Sequence, residues 1–324
     1  MRQNNVLRIG TILADRYQID SVLACGGSGI IYLANHIRKN KFVVIKESYP
    51  SSILCKDINS MLEKENIVQF EKENVIFEIR VMEQLKGIKG IVQIDESFQE
   101  NNAIYIVMEY LRGKNLGEYV LSQNGKIKFE EAVYVLYEVL KILERIHKKK
   151  ILHCDISPGN IFICDDGFVK LIDFGSSCCL RKQNEEQEFC NIKEGFAAPE
   201  QYNAKRELNK DTDLYGLSAT IYYALSGVIP VTAKKREKKD TIVPLNVLQT
   251  DLPELFCYTI MKALSLNPKD RFRDVRSYRE MVKKGCLKKV KILKEDSIKG
   301  EIVLYLFLIS ILGSIIWICM WNII

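Results

Sequence analysis

The stretch Ile151-Leu-His-Cys-Asp-Ile-Ser-Pro-Gly-Asn160, followed thirteen residues later by Asp173-Phe-Gly175, decides the reading of this chain. Val169-Lys-Leu-Ile172, just before Asp173, is strand-like. Two short segments of this kind are expected to bring the oxygens of Asp155, Asn160 and Asp173 together. One carboxylate and one amide oxygen suit Mg2+, which keeps several waters and takes its remaining ligands from phosphates. A second aspartate is then left to orient an attacking hydroxyl. Each triplet alone arises easily by chance, so the weight lies in their order and spacing.

Working outward, the N-terminal part is β-rich. From Tyr17 to Ile45 short β-type runs are broken by glycine: YQIDSVLA, CGGSG, IIYLANHI and KFVVIKE. In Leu23-Ala-Cys-Gly-Gly-Ser-Gly29 the glycines let backbone N–H groups approach phosphate oxygens without a Cβ in the way. The same glycines also suit a plain hairpin turn. The loop opens no helix, which argues against a Rossmann site, and no Lys-Ser/Thr follows, so it is not a Walker A loop. Val43-Val-Ile-Lys46 ends an apolar strand on a lysine. A buried ammonium needs a partner. Glu78, on a stretch with helical periodicity over 67–86 (Phe70, Val75, Phe77, Val81 and Leu85 near one side), is the candidate. Residues 48–66 read as a loop or small insertion. IVQIDESF and AIYIVMEYL read as two more strands, and the lobe boundary falls near Leu111–Lys114. Beyond it, long amphipathic helices are expected over 129–150 and 212–227.

Taken together, these motifs resemble the eukaryotic-type (Hanks-type) protein kinase family over roughly residues 17–283. The resemblance implies an α+β, two-lobed fold with a β-rich N-lobe carrying one helix and a mainly helical C-lobe. It implies ATP and Mg2+ as cofactors, with Mn2+ as an alternative ion, and protein substrates phosphorylated on Ser or Thr. Leu23, Gly26, Gly27, Ser28 and Gly29 would form the loop over the nucleotide, with Ile31 covering adenine and Val44 also binding the nucleotide. Lys46 would hold the α/β-phosphates and pair with Glu78. Met108 would be the gatekeeper, with Glu109 to Leu111 as the adenine-binding hinge. Asp155 would be the catalytic base, and Asn160 and Asp173 the metal ligands. Glu200 of Ala198-Pro-Glu200 would pair with Arg271, and Asp213 would bind backbone near the catalytic loop. HCDISPGN and GFAAPEQY are similar to a bacterial, often membrane-anchored, group of Ser/Thr kinases whose versions read close to HRDISPDN and GYAPPEQY.

The departures are instructive. Ala24 replaces the usual first glycine of the loop. Cys154 replaces the arginine that normally reads a phosphorylated activation loop, and between Gly175 and Glu200 the only hydroxyls are Ser176 and Ser177, beside Asp173-Phe-Gly175. Control by phosphorylation of that loop is therefore not expected. Ser157, counted among the catalytic residues by its position, stands where most Ser/Thr kinases have a lysine that touches the γ-phosphate. Losing that charge should weaken transition-state stabilisation. The resembled bacterial group shares this serine. Lys46 and Glu78 are 32 residues apart, farther than is common, which makes Glu71 and Glu73 rivals for the pairing. An ATP-binding scaffold that does not turn over is the main alternative. A small-molecule phosphotransferase is a weaker one, because Glu200, Asp213 and Arg271 belong to the protein-substrate form of the helical lobe.

Composition bounds the rest. The chain has 324 residues, 27% of them charged and 47% hydrophobic, which excludes wholesale disorder. Net charge is +6, but residues 283–299 hold seven lysines against Glu295 and Asp296, a net of +5, and Glu301 adds −1, so residues 1–282 carry only +2 and a nucleic-acid partner is not indicated. Ten cysteines without a CxxC pair, and an N-terminus without an apolar signal core, suggest a reduced cytoplasmic body. Residues 302–324 carry no charge; at about 1.5 Å per residue a helix over them is expected to be long enough to cross a membrane core of about 30 Å. The flanking lysines place the body on the cytoplasmic side. The expected order is a lead-in (1–16), the kinase domain (17–283; N-lobe to 111, C-lobe from 112), a Lys-rich linker (284–301) and a single-pass span (302–324) in the cell membrane. Ser310 and Ser314 have a spacing that packs spans together, which leaves a homodimer open.

Overall fold

The structure, a computed structural model, describes residues 6–26, 29–48, 61–179, 192–203 and 206–296. Gly27, Ser28 and the expected span 302–324 lie outside the described residues. Among the described residues no helix is long and apolar enough to cross a membrane.

Strands β1 (Ile12–Leu13), β2 (Tyr17–Gly26), β3 (Gly29–His36) and β4 (Lys41–Ser48) are followed by helix α1 (Met61–Gln84), then β5 (Ile94–Glu100) and β6 (Ala103–Glu109). They form one antiparallel sheet in the order β1-β2-β3-β4-β6-β5. Its strands alternate, because successive side chains leave a strand on opposite faces. On β6, Tyr105 and Val107 join an apolar cluster with Tyr17, Ile19, Tyr32 and Ile45, whereas Ile106 belongs to the cluster that contains Val81 and Leu85. Val81 is on α1, so the helix is fixed against one face of the sheet. It begins at Met61, six residues before the apolar periodicity does. Met61-Leu-Glu-Lys-Glu-Asn66 is rich in helix formers but lacks an apolar stripe, so its periodicity gives no helix signal.

Beyond Glu109 come β7 (Gly113–Asn115), α2 (Leu116–Ser122), α3 (Phe129–Lys148), β8 (Ile151–Leu152), β9 (Ile161–Cys164), β10 (Val169–Leu171) and β11 (Cys178–Cys179). The helices α4 (Lys210–Ser226), α5 (Ala233–Lys238), α6 (Leu245–Leu248), α7 (Glu254–Ala263) and α8 (Val275–Asp296) complete the helical lobe. α3 buries Ala132, Val135, Leu136, Val139, Leu140, Leu143 and Ile146 along one stripe. Each fully buried Leu, Ile or Val contributes about 1.5–3 kcal/mol, so this helix is the anchor for the short strands that carry the site. α4 is buried almost all round and ends on Gly227, whose φ of 74° suits glycine at a helix C-terminus. The Lys-rich stretch expected as a linker from residue 284 instead continues α8 as far as Asp296.

The two lobes meet along β10. Leu171 N–H donates to Gly90 O (2.8 Å) and Val92 N–H to Leu171 O (3.0 Å). These bonds tie the α1–β5 connection to the strand that leads into Asp173.

Candidate active site

The site is assembled from five pieces: the β2–β3 hairpin, the end of β4, α1, and the two short segments around Asp155 and Asp173. Pairing of β3 with β4 sets Ile31 opposite Lys46, and pairing of β4 with β6 sets Val44 opposite Met108. Gly29 has φ of 130°, and a Cβ there would stand 2.1 Å from Glu47 O. Glycine is therefore required for the hairpin to close on β4, whatever else the loop binds.

Lys46 and Glu78 are both buried and paired, with Lys46 Nζ donating to Glu78 Oε1 (2.8 Å) and Oε2 (3.0 Å). The same ammonium donates to Asp173 Oδ1 at 3.1 Å. Burial opposes the charge on Lys46, but Glu78 and Asp173 outweigh it and hold its pKa above the usual lysine value. Burial likewise opposes ionisation of Asp173, and Lys46 outweighs it, so that carboxyl sits below its usual range. Of the rival glutamates, Glu73 is exposed and accepts from Gln69 (2.8 Å), while the side chain of Glu71 lies outside the described residues. Gly175 flanks the triad: a Cβ there would meet Asp173 Oδ1 at 3.2 Å and Glu78 Oε2 at 3.4 Å.

Asp155 and Asn160 close the other side. Asn160 Nδ2 donates both to Asp155 O (2.9 Å) and to Asp155 Oδ2 (2.8 Å). Two acceptors around one nitrogen fix the amide orientation, so Oδ1 is the atom left for a ligand. Asp173 Oδ1 takes Lys46 and the Gly175 N–H (3.3 Å), and Oδ2 bears no hydrogen bond among the described residues. These two oxygens are hard donors of the kind Mg2+ takes, and the site fits such an ion. Burial pushes the Asp155 carboxyl up to about 6; Asp173 adds to this, and Lys193 and Asn160 oppose it. A carboxylate with a pKa near neutrality can take a proton from a hydroxyl more readily than an ordinary aspartate.

Strain is built into this loop. Cys154 (φ 62°) and Asp173 (φ 62°) adopt the left-handed backbone that non-glycine residues disfavour by about 1–3 kcal/mol. Asp213 holds the first of them: its carboxylate accepts from His153 N (3.0 Å), Cys154 N (2.8 Å) and His147 Nε2 (2.7 Å). Gln201 Nε2 adds a bond to Cys154 O (2.6 Å). Glu200 accepts two bonds from the buried guanidinium of Arg271 (2.7 and 2.9 Å) and one from Thr212 (2.8 Å). Phe174 is fully buried, its ring 4.8 Å from that of His153. Cys154 and Cys178 are buried with Leu152 and Leu208, their sulfurs 3.3 Å apart, so Cys154 serves as small apolar packing at the position where an arginine is usual.

At the hinge, Glu109 N–H donates to Gln93 O (3.0 Å), and the Glu109 carboxylate accepts from Lys170 (2.6 Å) and Gln93 N (2.8 Å). The side chain of Glu109 therefore braces the lobes. Met108 and Leu111 are half-buried beside it, and Leu23 is exposed at the hairpin. Ser157, expected in a catalytic position, is fully buried, and its Oγ has no hydrogen-bond partner among the described residues. It packs into the loop and presents no group to a ligand.

Three participants escaped sequence reasoning. Glu47, the residue after Lys46 on β4 and so on the opposite face, accepts from Tyr32 OH and Tyr105 OH (2.6 Å each) and stiffens the strand. Gln201 braces the Cys154 carbonyl. Lys193 reaches the Asp155 loop, its ammonium 3.2 Å from where a Cβ on Gly159 would stand. No local pattern marks these residues, because each acts on a segment distant in sequence.

The family model for the protein kinase domain matches residues 17–273, which include every residue of this site. A probable serine/threonine-protein kinase of Clostridium acetobutylicum is 27% identical over 277 residues, covering 82% of this chain and 39% of that protein. Serine/threonine-protein kinase D of Synechocystis is 30% identical over 268 residues, covering 80% of this chain and 50% of that protein. The chain thus spans half or less of the length of these two curated relatives. A solved structure titled PpkA-294 apo form superposes with a TM-score of 0.72 at 26% identity, over 86% of this chain and 99% of that one. With the paired lysine and glutamate, the convergent oxygens and the Glu200–Arg271 buttress all inside the matched span, this chain belongs to the protein kinase family.

Proposed function

We propose that the chain is a membrane-anchored serine/threonine protein kinase that transfers the γ-phosphoryl group of ATP to Ser or Thr hydroxyls of proteins. The observation that carries this reading is the triad of Lys46, Glu78 and Asp173 formed beside the Asp155–Asn160 pair. In this reading the hairpin, Ile31, Val44, Met108 and the backbone of Glu109 to Leu111 seat the nucleotide. Lys46, held by Glu78, aligns the α/β-phosphates. Asn160 and Asp173 would hold Mg2+, which would neutralise phosphate charge; Mn2+ has the same donor preference. Asp155 accepts the hydroxyl proton as the oxygen attacks phosphorus and ADP leaves. The names of the relatives support Ser/Thr over Tyr. The apolar, uncharged stretch 302–324 and the lysines before it support a single-pass anchor in the cell membrane with the kinase domain cytoplasmic. Small residues in that stretch extend the proposal to a homodimer.

The test is transfer of radiolabel from ATP by the full chain in lipid vesicles, with Asp155→Asn alongside and acid hydrolysis of the product. Label on Ser or Thr that disappears in the variant is expected. ATP binding without any transfer would replace this reading with a nucleotide-binding scaffold, the role that Ala24, Cys154 and Ser157 together favour.

A further inference from the structure

We propose that Lys193, from the segment after Asp173-Phe-Gly175, is a catalytic residue that supplies the positive charge to the transferring phosphoryl group which the catalytic loop lacks at Ser157. The inference rests on the phosphoryl-transfer reading above and names a residue that reading does not use.

The deficit is structural. A phosphoryl group in transfer spreads negative charge over its oxygens, and the surrounding cations carry much of the stabilisation. Lys46 is committed to Glu78 and Asp173 at the far side of the site. Ser157 is fully buried, so its hydroxyl is closed to a ligand. The catalytic loop from Asp155 to Asn160 contains no lysine or arginine of its own.

Lys193 fills that gap from a different segment. A Cβ on Gly159 would be 3.2 Å from its Nζ, which places the ammonium directly over the loop between Asp155 and Asn160. Lys193 also lines one concavity with Asp155, Cys154, Gln201 and Thr212. Its charge is the largest influence opposing the effect of burial on Asp155. It is exposed, and its ammonium is in no ion pair among the described residues, so it is available to a ligand. Gly159 matters here, since any side chain would meet the ammonium at this position. The backbone that carries Lys193 is held: Phe196 N and Ala197 N donate to Lys193 O at 3.0 and 2.9 Å. Ser157 and Lys193, far apart in sequence, thus exchange a role: the buried hydroxyl packs and the exposed ammonium serves the phosphoryl position.

The experiment compares wild type, Lys193→Met and Lys193→Arg in the full chain. Phosphoryl-transfer rates are read at saturating ATP, together with affinity for Mg·ADP alone and for Mg·ADP with aluminium fluoride, a mimic of the group in transfer. Lys193→Met is expected to lower kcat about 100-fold, the scale of removing one preorganised charge or donor. It should leave Mg·ADP affinity within about threefold and weaken the aluminium fluoride complex by a factor comparable to the kcat loss, as a contact made only in the transition state requires. Lys193→Arg should retain activity within about tenfold. A Lys193→Met rate within about threefold of wild type overturns the inference while leaving the kinase reading intact. So does a loss that Lys193→Arg shares in full, or one that falls on Mg·ADP affinity instead. A wild-type chain that transfers no label overturns both.

Discussion

Replacing Asp213 by asparagine probes how the helical lobe holds the catalytic loop. Asp213 is fully buried and its carboxylate accepts three hydrogen bonds: Cys154 N at Oδ1, and His153 N and His147 Nε2 at Oδ2. Burial opposes its ionisation, but the hydrogen bond from His147 leads the groups that outweigh it and depress the carboxyl. An amide in its place keeps one acceptor oxygen and turns the other edge into a donor facing at least one N–H. One bond to a charged acceptor, about 1.5–3 kcal/mol, is lost, and a buried donor is left unsatisfied at about 1–3 kcal/mol. The expected destabilisation is about 3–4 kcal/mol, which for a domain of this size lowers Tm by roughly 6–16 °C. The loss reaches the chemistry, because these bonds stabilise the left-handed backbone at Cys154, the residue before Asp155. Once that backbone relaxes, Asp155 moves, and a displacement near 1 Å costs about 100-fold in rate.

Thermal melting and phosphoryl-transfer rate on the same preparation check both parts. The pH dependence gives a further check on sign. A depressed folded pKa means that ionised Asp213 contributes stability above the unfolded value, near 3.9, and that this contribution is lost as pH falls through the lower folded value. The amide of the variant does not titrate, so the stability gap between wild type and Asp213→Asn should shrink in acid. A variant that melts within about 2 °C of wild type and transfers label at the wild-type rate refutes the reasoning. So would a stability gap that widens as pH falls.

The Asp155 carboxyl, pushed up to about 6 chiefly by burial, should give kcat/KM an acidic limb: the ionised form accepts the proton, so the rate falls tenfold per unit below about pH 6 and is flat above it. A limb centred near pH 4, the ordinary carboxylate range, would show that burial does not govern this group. Arg271→Met should cost about 3–5 kcal/mol in urea unfolding, because it leaves the Glu200 carboxylate, 2% exposed, without its partner. Adding Glu200→Met should recover part of that loss, and a single variant within about 1 kcal/mol of wild type would remove the buttress from the account.

Much of this site is legible along the chain because its parts are local. Lys46 ends an apolar strand, and a lysine there must find a carboxylate; the helix-to-strand offsets of Leu85 and Ile91-Val92 favour Glu78 over Glu71 and Glu73, and the structure pairs Glu78 with Lys46 at 2.8 Å. Asp155 and Asn160 lie five residues apart on one turn, so their hydrogen bond is a short-range consequence of sequence. The start of α1 at Met61 is hidden because a helix built on propensity, without an apolar stripe, leaves no periodic trace. The roles of Glu109 and Glu47 are hidden for another reason. A carboxylate on a strand has the same appearance whether it faces a ligand, a lysine from β10 or two tyrosines, and only the register of neighbouring strands decides among them.

Ser157 shows the limit most clearly. Motif comparison marks a missing charge and assigns the loss to the position where it occurs. In the inference drawn above the charge is distributed differently, because the segment that carries Lys193 brings an ammonium over Gly159 in the loop from Asp155 to Asn160. A serine at position 157 and a lysine at position 193 are in this sense one electrostatic solution, and a loss read from the catalytic loop alone becomes a relocation once Lys193 stands over Gly159.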